Sequence, residues 1–160
     1  MKRMILPILL ALLMVFIFLM SAQPADDSTE TSSRFCTLAA HVLLSDFEDF
    51  DAVTQNQIIE KLSFVVRKTA HFTEYALLGF LWYMCLRKRK YSPLTALAAT
   101  ALYAVTDELH QAFVPGRSCE LRDVLVDTSG GLFGIIAGFA ILAILHCLMH
   151  REVTEKGSWK

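Results

Sequence analysis

Three short stretches of the sequence place histidines, carboxylates and basic residues close together. They read RKTAHFTEY at 67–75, TDELHQAF at 106–113 and PGRSCELRDVLVD at 115–127. A histidine beside a carboxylate can exchange protons near neutral pH, and arginine and lysine bind phosphate or carboxylate groups. The three stretches therefore predict a polar site that works by acid-base catalysis or by binding a charged group.

The composition of the rest of the chain indicates an integral membrane protein. Of the 160 residues, 54% are hydrophobic and 19% are charged, and the mean hydropathy is +0.45. A soluble domain is usually more polar. Four apolar segments have about the length needed to cross a bilayer, namely 4–20, 70–86, 94–113 and 128–149. We therefore predict an all-α integral membrane fold, an antiparallel bundle of four transmembrane helices.

The distribution of basic residues gives an orientation, because positive loops tend to stay on the cytoplasmic side. Basic residues lie at 2–3, at 87–90 and in the tail at 151, 156 and 160, whereas residues 21–66 carry eight acidic residues and two basic ones. We expect a multi-pass protein of the cell membrane with both termini in the cytoplasm. The polar stretches then lie at the outer face of the membrane.

Four regions follow from this topology. Residues 1–20 form an N-terminal transmembrane anchor or, alternatively, a signal peptide, and residues 21–66 form an external acidic loop. Within that loop, 21–33 has the composition of a flexible linker, and one or two short amphipathic helices follow it. Residues 67–150 form a three-helix core and 151–160 a cytoplasmic tail. Cys36 and Cys119 both fall outside, and the sequence leaves open whether they pair.

Helical geometry, at 100° per residue, gathers residues of the second and third helices into inward-facing arcs of about 100°. The arc of the second helix holds Arg67, His71, Glu74, Tyr75, Leu78 and Trp82, and that of the third holds Ala96, Thr100, Tyr103, Asp107, His110 and Gln111. In the last helix, Gly130, Gly134 and Gly138 form a GxxxGxxxG stripe that permits close helix packing, and Asp123 and Asp127 continue the same face. A charge at mid-membrane costs at least about 2.5 kcal/mol, so these carboxylates need partners or a function. A buried network of ion pairs is the purely structural explanation.

The same stretches resemble the motifs of VanZ-like membrane proteins. The motifs K-x-x-H-F-x-E-Y, D-E-x-H-Q-x-F-x-x-x-R and D-x-x-x-[DN]-x-x-G are found here beginning at Lys68, Asp107 and Asp123. The resemblance covers about residues 62–140. It implies a four-helix membrane protein associated with low-level resistance to the glycopeptide antibiotic teicoplanin, and it implies no particular reaction.

The first functional hypothesis is that the polar site binds an envelope lipid or a cell-wall precursor without chemistry. Basic side chains would contact phosphate, and neutral polar ones would orient the headgroup. The expected partners are membrane lipids and a headgroup or precursor, and no nucleic-acid signature is present. The candidate binding residues are Lys68, Tyr75, Glu108, Gln111, Arg117, Arg122, Asp123 and Asp127.

Two alternatives remain open. In the second hypothesis the site is that of a hydrolase or transferase, in which His71, Glu74, Asp107 and His110 act as acids and bases. A variant of it lets the pairs at 71 and 74 and at 107 and 110 hold a metal. No zinc spacing or phosphate-binding glycine loop occurs, so the sequence by itself assigns no metal and no cofactor. In the third hypothesis the protein is a structural or partner-binding envelope subunit.

Overall fold

The protein is built from helices connected by short loops. The computed structural model describes residues 4–44 and 46–157, and within those ranges the chain forms helices and no strands. The helices are α1, Ile5–Ser21; α2, Ala25–Leu43; α3, Ala52–Leu86; α4, Ser92–Gln111; and α5, Leu121–Gly157, with a 3-10 turn at Phe47–Asp49. The predicted all-α class is confirmed. Lys2, Arg3 and Lys160, which helped to orient the sequence, lie outside the described residues.

The closest helix packing is between α3 and α5, which run parallel. Glycines make it possible, because a Cβ atom on Gly134 would collide with the carbonyl of Ala76 and one on Gly79 with the backbone of Gly131. The glycine stripe inferred from the sequence is thus the face that α5 turns toward α3. Helix α4 packs against both of them and α1 against α3 and α4.

The bundle has an apolar core and an apolar outer surface. The core includes Leu10 and Ile17 of α1 together with Tyr75 and Leu78 of α3. Large apolar side chains also point outward, among them Leu12, Leu94, Leu102, Ile136 and Phe139. In the described part of the chain, one helical segment, Leu121–Met149, is long and apolar enough to cross a membrane. Helices α1 and α2 meet the same requirement only when taken together, with a bend of 99° between them. Four membrane crossings therefore stay a prediction.

The acidic region after α1 is more ordered than the sequence indicated. Within the stretch predicted as a flexible linker, 21–33, helix α2 begins at Ala25, directly after Pro24. Asp26 and Asp27 lie in the first turn, where the partial positive charge of the helix N-terminus favours carboxylates. This helix is one of the two amphipathic helices expected in the loop, and it begins earlier than the sequence pattern suggested.

The second expected amphipathic helix is the first part of α3. Asp51 caps α3 by accepting hydrogen bonds from the backbone N–H groups of Val53, at 3.2 Å, and Thr54, at 3.3 Å. The bonds from Thr54 hold the pKa of the Asp51 carboxyl below its usual value. No glycine or proline occurs between Ala52 and Leu78, so nothing interrupts the helix before the bundle begins. The result is one continuous helix of 35 residues.

Helix α2 covers one end of the bundle because of the sharp bend after α1. The Arg67 guanidinium donates a hydrogen bond of 2.9 Å to the Thr29 hydroxyl, and the hydroxyls of Ser33 and Ser63 lie 3.3 Å apart. These bonds fix α2 against the first part of α3. All four cysteine thiols are free, with Cys36 buried in this region and Cys119 exposed, so the disulfide left open by the sequence is not formed.

Candidate functional site

A cavity of about 200 Å³ lies at the end of the bundle that α2 covers. We call it the charged cavity, because arginine, lysine, histidine and carboxylate side chains all contribute to its walls. Residues of α2, α3, the connection between α4 and α5, and the start of α5 surround it. Its lining consists of Ala25, Ser28, Thr29, Phe64, Arg67, Lys68, His71, Gln111, Gly116, Arg117, Ser118, Glu120 and Asp123.

Arg117 is the most firmly held cation of the charged cavity. Its Nε donates a hydrogen bond of 2.9 Å to the carbonyl of Gln23, and its Nη1 donates one of 3.0 Å to the side-chain oxygen of Gln111. Partial burial lowers the pKa of the Arg117 guanidinium, while nearby Asp107 raises it. An arginine stays protonated at neutral pH because its ordinary pKa exceeds about 12. A fixed positive charge therefore faces the cavity.

A second cation joins the two parallel helices. Lys68 of α3 donates a short hydrogen bond to Asp123 in the first turn of α5, and the two form a half-buried ion pair. The N-terminus of α5 also favours the Asp123 carboxylate. Lys68 and Asp123, both predicted as binding residues, thus lie on the cavity wall and neutralise each other there.

Beneath the charged cavity lies a group that we call the buried triad, His71 of α3, Asp107 of α4 and Asp127 of α5. One ligand atom from each lies within 4.8 Å of those of the other two, and His71 Nδ1 is 3.8 Å from Asp127 Oδ1. Asp107 and Asp127 are 3% and 1% exposed. His71 also lines the cavity, so it connects the two parts of the site.

The two buried carboxylates are only partly satisfied by hydrogen bonds. Asp107 Oδ2 accepts bonds of 2.9 Å from the Ser21 hydroxyl and 3.1 Å from the Gln111 amide. Asp107 Oδ1 and Asp127 Oδ2 are buried and have no hydrogen bond of normal length among the described residues, and the buried hydroxyl of Tyr75, which also lacks one, lies close enough to interact with the Asp107 carboxyl group. An unpaired polar atom in such a place is costly, so a proton or a cation has a ready position there.

Glu108, predicted as a binding residue, binds a backbone N–H group. It is 1% exposed, and its Oε2 accepts a hydrogen bond of 3.0 Å from the backbone N–H of Glu120. Glu120 directly precedes α5, so this bond fixes the end of the connecting loop to α4. Glu108 therefore helps to position α5, which carries Asp123 and Asp127.

Three of the residues singled out from the sequence neither line the charged cavity nor belong to the buried triad. Glu74 lines a shallow groove on the side of α3 with Val65, Thr73 and other residues of that helix. The ring of His110 stacks on Phe18 of α1 at a centroid distance of 4.3 Å. Arg122 is exposed and lies over the ring of Phe64. The other nine form the cavity, the triad or their immediate supports.

Several residues of the site were missed at the sequence level. Ser21 and Gln23 support Asp107 and Arg117, and Thr29 and Ser32 bind the Arg67 guanidinium. All four belong to the stretch predicted as a linker. The sequence does contain a signal there, since a proline followed by two aspartates is typical of a helix start.

Comparison with known proteins identifies one family. The family model described as VanZ/LLP1 matches residues 6–145, which is most of the chain. That range contains the charged cavity and the buried triad. No curated protein and no solved structure matches the chain.

Proposed function

The chain belongs to the VanZ/LLP1 family, and on that premise we propose that it is a multi-pass membrane protein that binds a phosphate-bearing headgroup at the outer face of the membrane. The headgroup would belong to an envelope lipid or to a lipid-linked cell-wall precursor. The observation that supports the proposal is the charged cavity. Its walls include the side chains of Arg67, Lys68 and Arg117. Arginine and lysine are the side chains best suited to phosphate oxygens.

The outer surface of the bundle supports a location in the membrane. Large apolar side chains of α1, α4 and α5 are more than half exposed, including Leu12 at 61%, Leu102 at 67% and Phe139 at 61%. A monomeric soluble protein rarely exposes so continuous an apolar surface, whereas lipid tails would cover it favourably. The charged residues Lys68, Asp107, Glu108, Asp123 and Asp127 of α3, α4 and α5 gather instead at the end of the bundle that α2 covers, which suits a bilayer interface.

The basic residues support the proposed orientation. The connection between α3 and α4 contains Arg87, Lys88, Arg89 and Lys90, and it lies at the end of the bundle opposite the charged cavity. If the positive loop faces the cytoplasm, the charged cavity opens to the outside. A protein that holds headgroups there can change how a glycopeptide antibiotic reaches its target, which is the reason to expect low-level teicoplanin resistance.

The test compares an arginine that lines the charged cavity with one that does not. Arg117→Ala removes a cation of the charged cavity, and Arg122→Ala removes one outside it. We expect the wild type and Arg122→Ala to bind short-chain phosphatidylglycerol in detergent solution, and Arg117→Ala to bind it about tenfold or more weakly, since hydrogen bonds to charged groups contribute roughly 1.5–3 kcal/mol. Diacylglycerol of the same chain length, which lacks the phosphate, is the control lipid, and thermal unfolding of each variant checks its fold.

The same variants can be tested in cells. Expressed at equal membrane levels in a susceptible Gram-positive host, the wild type and Arg122→Ala should raise the inhibitory concentration of teicoplanin, and Arg117→Ala should not. Equal lipid binding by Arg117→Ala and the wild type would refute the headgroup proposal. Binding without protection would retain the headgroup and remove the link to the antibiotic.

A second candidate function is an enzyme, and the buried triad favours it. His71 lies between two carboxylates, so one of them can orient the imidazole while the ring accepts or donates a proton at the cavity. Ser118 lines the same cavity, but its hydroxyl donates to Glu120 at 3.0 Å and is exposed. A hydrolase or transferase would therefore use His71 with a substrate or water that enters the charged cavity.

A further inference from the structure

We propose that His71, Asp107 and Asp127 bind one divalent metal ion, such as Zn²⁺ or Mn²⁺, at the base of the charged cavity. The inference adds a metal ion to the proposed headgroup site. It rests on the proposed function only for the identity of the headgroup that contacts the ion. Metal binding and headgroup binding are measured by separate experiments. The two proposals can therefore fail separately.

The first support is geometry. The three residues come from three different helices, and their ligand atoms all lie within 4.8 Å of one another. An ion with bonds of about 2.1 Å in tetrahedral geometry places its ligand atoms roughly 3.4 Å apart, so small side-chain movements complete the site. One imidazole and two carboxylates form a ligand set suited to Zn²⁺ or Mn²⁺, and three protein ligands leave a coordination position open. The metal variant considered from the sequence used the pairs at 71 and 74 and at 107 and 110, whereas the structure brings Asp127 together with His71 and Asp107.

The second support is the state of the carboxylate oxygens. Asp107 Oδ1 and Asp127 Oδ2 are buried without a hydrogen-bond partner in the described structure. Leaving a carboxylate oxygen unpaired in a protein interior is expensive, and buried charges are normally paired or coordinate metals. The unpaired oxygens lie on the two aspartates of the triad itself. A cation held by the triad would therefore lie beside these two aspartates and give their carboxylates a partner.

The third support is a set of side chains that orient the ligands. Ser21 and Gln111 both donate to Asp107 Oδ2, at 2.9 and 3.1 Å, which leaves Oδ1 for the ion. Arg117 in turn holds Gln111 by a bond of 3.0 Å. Ligands of bound metals are usually oriented in this way by further hydrogen bonds. Ser21 thus gains a role that its place at the end of a membrane anchor did not suggest.

The fourth support is the balance of charge. The charged cavity and the buried triad, with neighbouring Glu108, bring together five carboxyl groups and three lysine or arginine side chains. With all eight groups ionised, five negative and three positive charges leave an excess of two negative charges, and a headgroup phosphate would add to it. One divalent ion removes the excess and adds an attractive partner for the phosphate. His71 lines the cavity, so the open coordination position lies next to the place where the headgroup would enter.

The alternative occupant of this position is a proton shared by the two aspartates, and metal content distinguishes the two. The full-length protein in detergent is treated with a chelator, dialysed and titrated with Mn²⁺, which thiols bind poorly. Zn²⁺ is tested in parallel. We expect one equivalent of tightly bound metal per chain and a rise in the thermal unfolding midpoint on adding it. A wild type that binds no metal and shows no rise would overturn the proposal.

Matched variants locate the ion. His71→Ala and Asp127→Asn should weaken metal binding by at least about 100-fold, since even groups that only orient ligands contribute 10–100-fold. His110→Ala and Glu74→Gln are the controls, because they remove a histidine and a carboxylate of the same helices that lie outside the triad. Retention of the tight site in both triad variants would overturn the assignment. If the triad variants do not fold, the wild-type titration alone decides the question.

The outcome also separates this inference from the proposed function. Phosphatidylglycerol binding that persists after chelation, with no metal bound at any stage, leaves the headgroup proposal and removes the ion. Tight metal binding without any binding of phosphatidylglycerol retains the ion and removes the headgroup.

Discussion

The two halves of the contact between α3 and α5 are built on opposite principles. In the half away from the charged cavity, Gly134 and Gly138 let α5 approach Ala76, Phe80 and Tyr83 closely. In the half at the cavity, Lys68 faces Asp123 and His71 faces Asp127. The same two helices therefore meet through packed backbone at one end and through charged side chains at the other.

The difference indicates which half stabilises the fold and which half serves a function. Close packing between helices is favourable as it stands, and it buries no charged side chain. Buried carboxylates with unpaired oxygens cost stability, and replacing such groups by uncharged ones often stabilises a protein. The half with Gly134 and Gly138, which we call the glycine half, therefore holds the helices together. The half with Lys68, His71, Asp123 and Asp127 lowers the stability of the fold, but it keeps a binding site in place.

The largest effect should follow from Gly134→Ala. A methyl group there meets the carbonyl of Ala76, and backbone cannot move aside as a side chain can. We expect a loss of about 3 kcal/mol or more, at the upper end of the cost of overpacking a core. Thermal unfolding in detergent measures it. An unchanged midpoint would mean that the glycine half is not the close contact described above.

A moderate effect of opposite sign should follow from Asp127→Asn. In the metal-free protein we expect a gain of about 1–3 kcal/mol, because the change removes the cost of burying a carboxyl group of which one oxygen has no partner among the described residues. Asp123→Asn is the matched control. It leaves Lys68 without its partner, so it should lower the unfolding midpoint. If both substitutions destabilise the protein, Asp127 stabilises the fold as Asp123 does. The two halves of the contact would then not differ in the way described above.

The smallest effect should follow from Gly138→Ala. A Cβ atom there lies 2.9 Å from a ring carbon of Tyr83 and 3.2 Å from one of Phe80, and both rings can shift. The gain in helix propensity, about 1 kcal/mol, offsets much of the crowding. We expect a net change below about 1 kcal/mol by thermal unfolding. A loss as large as that of Gly134→Ala would mean that the close contact extends along the whole stripe.

Part of the site could be predicted from helical geometry. Tyr75, Asp107, Gln111 and Asp127 were expected on inward-facing arcs, and all four are buried. Glu74 and His110 belonged to the same arcs, yet one lies on the side of α3 and the other against α1. Some residues of an arc of about 100° lie at its edges. Whether their side chains point into the bundle or away from it depends on how the neighbouring helices pack.

Helix α2, which covers the charged cavity, was harder to predict from the sequence. The composition of 21–33 is polar and rich in small residues, which is equally typical of a linker and of an exposed helix. The contacts of Arg67 with Thr29 and Ser32 join residues more than thirty positions apart, and local sequence contains no information about such contacts. The amphipathic start of α3 was recognised, but its continuation into the bundle was not.

The sequence by itself determined the helical class, the apolar segments, the glycine stripe and the motifs that place the chain in its family. These are properties of composition and of local periodicity, which each helix carries independently of the others. Only the tertiary structure decided that Asp107 and Asp127 share His71, that Ser21 supports Asp107, and that α2 covers the charged cavity. Those outcomes depend on how closely the glycines let α5 approach α3 and on the bend between α1 and α2, and both arise from contacts between distant parts of the chain.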